Sequence, residues 1–455
     1  MNNKFGSWSF YKRALLLALP VMAQLLIQNL VSLIDNFMVA GLGDIKMSGV
    51  NVSGQINMVY LVLSNTMCVA GGIFMSQYNG AKSDDDMKHV YRYKIVVLML
   101  LGILYFAYCF SGAQWALQFM VRGNANADAI IAQGSLYMKL IAFTWLPLPF
   151  SMAISTSLRE TGRVKAPLYI SVGATLVNTF FNWIFIYGNL GAPRLEVRGA
   201  AIATIIARSL EALVFLGYCY ITNPPFFSKF RNIFKVRLRL IGNILKKSAM
   251  ILVSEMSWIL VETFTSSIYN GRGGAEVISG MGAGFAIANL FLICISGVQT
   301  AIGVMLGGTL GAGKLEEARE QKTWFTSGAL VFGMFFGGCC TLGIFMIPVV
   351  FGNLSDGARH IATQMLLVNA FYVAVWVYLN VLLGISRTGG DTLMGATMDL
   401  SINLLIALPG ILLISKYTLW GPVLMFAVIK LADLVKILYA TIWMRNEHWI
   451  KNLTN

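Results

Sequence analysis

"INMVYLVLSNTMCVAGG" fills residues 56–72, and "ANLFLICISGVQTAIGV" fills residues 288–304. Laid side by side, Asn57, Ser64 and Gly71 fall opposite Asn289, Ser296 and Gly303 at one constant offset. A spacing of seven keeps each triplet on one face of a helix. The likeness runs on. "YNGAKSDDDMK" (78–88) parallels "LGAGKLEEARE" (310–320), each a Gly-Ala-rich helix end followed by a charged loop. "LRETGR" (158–163) parallels "ISRTGGD" (385–391). Arg208 and Glu211 lie nine and twelve residues after Gly199, as Lys430 and Asp433 lie after Gly421. Residues three apart meet on a helix surface, so each basic–acidic couple is expected to form an ion pair that eases its burial. The chain is a duplication, and such internal symmetry governs the fold.

What is duplicated is apolar. Hydrophobic residues make up 57% of the chain and charged residues 12%, with a mean hydropathy of +0.69. A soluble domain carries roughly 25% charged residues. About twelve apolar runs between residues 14 and 443 reach the length of roughly 20 residues that a helix needs to cross a bilayer. The first run is too long for a cleaved signal peptide and is expected to be a true span. With six spans each, the second repeat starts on the same side as the first. The repeats are then parallel, related by an axis along the membrane normal. The expected fold is an all-α integral membrane protein of about twelve transmembrane helices: a six-helix lobe over 1–221, a cytoplasmic linker over 222–247 and a second six-helix lobe over 248–455. Two equal bundles that can rock against each other suit a transporter. A channel or a receptor does not need the duplication.

A formal charge of +14 raises nucleic acid as a partner, and its distribution excludes that reading. With the amino terminus inside, 23 Lys and Arg fall in or beside cytoplasmic loops, against 7 on the other side. This is a strong positive-inside bias. Both termini are expected in the cytoplasm, the protein in the inner or plasma membrane, and its basic loops against anionic lipid. The six cysteines lie in apolar runs without a CxxC, and the three histidines stand near segment ends. No HExxH, GxSxG or phosphate-binding loop occurs, so hydrolase and ATPase readings have no starting point and no cofactor is expected.

Against this apolar background a few polar groups stand out. "SLIDNFMVAGLG" (32–43) places Asp35 deep in the first run. Gln24, Gln28 and Asp35 share one helix face, since steps of four and seven residues return to within about 40° at 3.6 residues per turn. Asn178 and Asn182, one turn apart, can supply further oxygens. Burial disfavours the charged form of a carboxyl, so such a group can exchange a proton or hold Na+ while ionised. Glu255 and Glu262 share a face of the seventh run, where two acids suit an organic cation. Asp399 and its neighbour Asn403 add polar groups to the eleventh. The Met and Phe residues offer an adaptable wall for varied cargo.

The chain resembles the multidrug and toxic compound extrusion (MATE) family, of the bacterial NorM/DinF-like type. The resemblance rests on "ALPVMAQLLIQNLVSLIDNFMVAGLG", "SQYNGAK", "SLRETGRVKAP", "NTFFNWIFIYG", "GAAIAT", "GGTLGAGKLEEA" and "SRTGGDT", in that order. It implies a V-shaped pair of six-helix lobes in a monomer, which exports drug-like, often cationic compounds against inward H+ or Na+. It also implies a cation site at Asp35, Asn178, Asn182 and Thr204, and a role for Glu255 in coupling or cargo. Gln24, Gln28, Glu262 and Asp399 are further candidates for the cargo cavity. One departure is plain: "YVAVWVYL" (372–379) holds none of the acid that the NorM branch carries in its tenth span. Two rival readings remain. A lipid-linked sugar flippase of the same superfamily needs basic side chains facing a pyrophosphate. An intramembrane enzyme needs a nucleophile–base or metal cluster.

Overall fold

Apolar runs with no water to satisfy their backbone close their hydrogen bonds internally, and the chain does so as helices. The computed structural model describes residues 4–122 and 126–454, with no strand among them. Each of the twelve expected runs coincides with helix. Nine helices are long and apolar enough to cross a membrane among the described residues, or ten with the bent pair Ala127–Trp145 and Leu148–Glu160 counted as one. That pair turns through 52° at Leu146–Pro147, where a proline removes a backbone donor. The seventh and twelfth stretches, over 238–270 and 422–443, are helical too. Glu255, Glu262 and several hydroxyls lower the apolarity of the seventh, and a break at Lys430–Leu431 divides the twelfth into two short helices.

The chain divides into two compact units. The amino-terminal unit comprises Ala23–Met75 and Ser83–Leu245. It holds most of α1 (Trp8–Ala40) and α2 (Asp44–Gly80), then α3 (Asp84–Ser111), α4 (Ala113–Met120), α5 (Ala127–Ile141), α6 (Leu148–Glu160), α7 (Lys165–Tyr187) and α8 (Val197–Thr222). Within it α7 packs along α8, and α6 against both α3 and α8. The expected linker is partly structured. Phe226 and Phe227 bury against Tyr91, while Arg92 donates to Ser228 Oγ at 2.8 Å and to the Lys235 carbonyl at 3.0 Å.

The carboxy-terminal unit comprises Met1–Met22, Ser76–Lys82 and Lys246–Asn455. Its helices are α9 (Leu238–Asn270), α10 (Ala275–Gly311), α11 (Leu315–Leu342), α12 (Met346–Val350), α13 (Asp356–Thr388), α14 (Leu393–Ile402), α15 (Leu408–Tyr417), α16 (Pro422–Ile429) and α17 (Ala432–Trp443). A π-helical turn, Asn403–Ala407, joins α14 to α15. The core is α13 laid along α10 and α11.

The Gly-Ala motifs find their reason here. The end of α2 crosses α10 so closely that a side chain on Gly80 would run into the Gly308 backbone, and one on Gly311 into that of Gln77. Small residues permit such crossings between membrane helices. Gln77 uses its buried amide fully: Nε2 donates to the Thr388 carbonyl at 2.9 Å and the Lys451 carbonyl at 3.1 Å, and Oε1 accepts from the Leu453 N–H at 2.8 Å. Gly80→Ala should destabilise the protein by about 1–3 kcal/mol through overpacking. Gly303→Ala, where a Cβ meets nothing within 4 Å, should be neutral or slightly stabilising. Thermal unfolding of the detergent-solubilised variants separates the two outcomes.

Candidate functional site

On α7, Asn178, Thr179 and Asn182 turn towards α1. Asn182 Nδ2 donates to Asp35 Oδ1 at 3.0 Å, and Thr179 Oγ1 reaches the same oxygen at 3.4 Å. The Asn178 amide, oriented by its hydrogen-bond network, donates to Asp35 Oδ2 at 2.9 Å and accepts from the Thr204 N–H at 3.2 Å. The four residues expected to share a site, Asp35, Asn178, Asn182 and Thr204, therefore do come together. Thr179 joins them. Sequence reasoning missed it, although it lies three residues before Asn182 and thus on the same face. Asp35 is half-buried and makes no salt bridge among the described residues. Asn182 is buried, and its Oδ1 has no hydrogen-bond partner among them. The site is thus a carboxylate in a ring of amides and hydroxyls, with one amide oxygen left over. In the first turn of α2, Lys46 Nζ lies 2.5 Å from Oε2 of Glu196, the residue before α8, and holds that half-exposed carboxyl below its ordinary range.

The other candidates are placed elsewhere. Gln24 is buried, and its Oε1 accepts from Arg159 Nη2 at 2.8 Å. It lies eleven residues before Asp35, about 16 Å along the helix axis. Gln28 is half-buried between them. Beside Arg159, Glu160 Oε2 meets Lys94 Nζ at 2.5 Å, and the Lys94 side chain is 0% exposed. Sequence position assigns Lys94 and Arg159 to cytoplasmic loops, yet both side chains turn inward to polar partners.

In the carboxy-terminal unit every candidate acid has a base. Arg387 Nη2 donates to Glu255 Oε1 at 3.1 Å. Lys436 Nζ lies 3.1 Å from Asp399 Oδ1 and 3.4 Å from Asp433 Oδ1. Ser254 Oγ donates to the other oxygen of Asp399, and Asn403 Nδ2 donates to Ser257 Oγ at 3.1 Å. Lys430 Nζ donates to Glu262 Oε2 at 2.7 Å. The expected Lys430–Asp433 pair does not form. The helix breaks at Lys430 and Leu431, between α16 and α17, which turns the Lys430 side chain to α9 and leaves Asp433 to Lys436 and the Trp376 indole, 2.8 Å away. Its counterpart in the first repeat behaves as expected: α8 is unbroken there, and Arg208 Nη1 reaches Glu211 Oε2 at 2.8 Å.

The MatE family model matches residues 20–184 and again 251–412. The probable multidrug resistance protein YoeA of Bacillus subtilis is 22% identical over 385 residues, 81% of this chain and 76% of that protein. A probable multidrug resistance protein NorM of Halalkalibacterium halodurans is 23% identical, over 89% of this chain and 88% of its own. The crystal structure of a MATE transporter in complex with MaL6 superposes with a TM-score of 0.85 at 16% identity, covering 96% of both chains. The chain belongs to the MatE family of multidrug efflux transporters, and is a NorM-like multi-pass membrane protein rather than an enzyme.

The Lys94–Glu160 pair gives a direct test of how strongly burial enforces pairing. Removing one member strands a charge, which costs about 3–5 kcal/mol in a buried pair. Lys94→Met should lower thermal stability by that order. Lys94→Met with Glu160→Gln should recover most of the loss, read in detergent from the shift in unfolding temperature.

Proposed function

We propose that this chain is a secondary antiporter that exports drug-like, predominantly cationic organic compounds in exchange for inward H+ or Na+. It works by alternating access, as a monomer, with no cofactor besides the coupling ion. One observation carries the reading: Asp35 has no base at salt-bridge distance among the described residues. Glu160, Glu211, Glu255, Glu262, Asp399 and Asp433, by contrast, each have a cation within 4 Å. An unpaired intramembrane carboxylate marks an ion pathway by default. Its surroundings, amide and hydroxyl oxygens with Asn182 Oδ1 unused, suit either a proton or a hard cation. An ion that loads from one side and unloads to the other must bind the two arrangements of the protein with different affinity. Each charge crossing 100 mV then supplies about 2.3 kcal/mol.

The flippase reading retains one observation, Arg159, whose guanidinium makes no salt bridge among the described residues. Lys94, Arg208, Arg387, Lys430 and Lys436 are already matched to carboxylates. Arg159 alone of these cations is left for a pyrophosphate, so the antiporter is preferred.

Reconstituted vesicles given a pH gradient or a Na+ gradient, singly, test the proposal. Wild-type protein should move a cationic dye uphill under one of them. Asp35→Asn should insert and fold normally yet lose at least about tenfold of that uphill rate, the order expected when a coupling charge is removed. Full-rate transport by Asp35→Asn would make Asp35 structural and move coupling towards Glu255.

The same reading places both termini and the 222–247 stretch in the cytoplasm of a cell whose inner or plasma membrane holds the protein. Ser228 is a poor reporter, because it is buried against Arg92. A cysteine at the exposed Arg231 should resist an impermeant thiol reagent in intact cells and label after permeabilisation. Labelling in intact cells would reverse the orientation.

A further inference from the structure

We infer that Lys430 is a tethered occupant of an organic-cation pocket in the carboxy-terminal unit, one that cargo must displace. The inference rests on the antiport reading above only for the identity of the cargo. Lys430 sits at the break between α16 and α17, where its neighbours in sequence no longer form a regular helix. Its ammonium lies 2.7 Å from Glu262 Oε2. It also lies 5.6 Å from the centroid of the Trp376 ring and 5.3 Å from that of Phe426. A carboxylate with two aromatic faces is the chemistry that binds a substituted ammonium or phosphonium ion. Here a lysine from the same chain fills it.

Three features separate this from an ion pair kept for stability. First, Glu262 is not consumed by its partner. Its Oε1 has no protein donor among the described residues, and its side chain is 26% exposed. Second, Glu262 borders an open, shallow hollow of about 500 Å³ lined by Thr263, Ser266, Ser267 and Asn270, a polar stripe along α9. A free cation has a route to the carboxylate. Third, Tyr269, one helical repeat beyond Glu262 and packed edge-on to Phe426, is 1% exposed, and its hydroxyl has no hydrogen-bond partner among the described residues. Its ring adds a third aromatic side chain next to Phe426. The tether gives Lys430 a high local concentration at Glu262, so it acts as a built-in competitor. Only cations that bind the aromatic faces better than an ammonium does will enter, which selects bulky delocalised ions over small ones.

Binding of tetraphenylphosphonium to the purified full chain tests this, with neutral triphenylphosphine oxide as control. Lys430→Ala should bind the phosphonium at least about tenfold more tightly than wild type, the scale on which removing a competing state raises apparent affinity. The gain should vanish in Lys430→Ala with Glu262→Gln, and the neutral probe should show none. An unchanged or weaker phosphonium affinity in a folded Lys430→Ala protein overturns the inference. Should that variant not fold, the wild type decides: phosphonium binding should raise the reactivity of Lys430 towards an amine-acylating reagent, mapped by peptide mass spectrometry. Unchanged or reduced reactivity overturns the inference equally. The two readings fail separately. Wild-type vesicles that pump the phosphonium, without a binding gain in Lys430→Ala, sink the tethered lysine and leave antiport standing. A binding gain in a protein that pumps under neither gradient supports the pocket and sinks antiport.

Discussion

A charge placed among hydrocarbon must find an opposite charge, and this requirement organises the interior of the chain. Lys94 with Glu160, Arg387 with Glu255 and Lys436 with Asp399 each join one helix to another at ion-pair distance. The pairs fix which helix faces meet, because neither partner tolerates slipping by a turn. The Gly-to-Gly crossing of α2 and α10 adds close backbone approach where no charge acts. Among the described acids within the spans, Asp35 is an exception to the pairing rule. Its carboxylate is held only by neutral donors, and on the proposed reading an incoming positive ion is the partner that completes it.

Much of the architecture was legible in the sequence because it follows from periodicity. Apolar runs of span length, a constant offset between halves and small residues at helix ends survive without any tertiary information. The Asp35 cluster was legible for a related reason: Asn178 and Asn182 stand one turn apart, and the resemblance supplied Thr204. Thr179 was within reach of the same geometry and was overlooked. What the sequence hid was pairing across distance. Nothing local announces that Arg387 reaches back to Glu255 or that Lys436 serves Asp399, since these partners are more than thirty residues apart. The i, i+3 rule correctly joined Arg208 to Glu211. It failed for Lys430 because it assumes an unbroken helix, and the chain breaks at that residue.

That failure changes the account of the interior charges. Counted from sequence, the deep acids outnumber the bases and favour a cationic cargo by sign alone. In the structure the bases are present, because residues that sequence position assigns to loops, Lys94 and Arg387 among them, turn inward. On the proposed reading, selectivity then depends less on a sum of charges than on which carboxylates a guest can reach. Among the described residues no base covers Asp35, whereas Lys430 covers one oxygen of Glu262. The missing acid in "YVAVWVYL" fits this picture, for Trp376 in that stretch donates to Asp433 and gives a ring face to Lys430 instead.

The Gln77 amide carries a consequence for biogenesis. Its three partners, at Thr388, Lys451 and Leu453, lie more than 300 residues further along the chain. The ribosome delivers α2 to the membrane well before any of them exists. At about 5–20 residues per second, the end of that helix waits on the order of a minute or less with its amide unsatisfied. Closure of the carboxy-terminal unit is therefore a late event in synthesis. A nascent chain shortened within its last few residues would insert every span and still present an open polar seam to the quality-control proteases of the membrane.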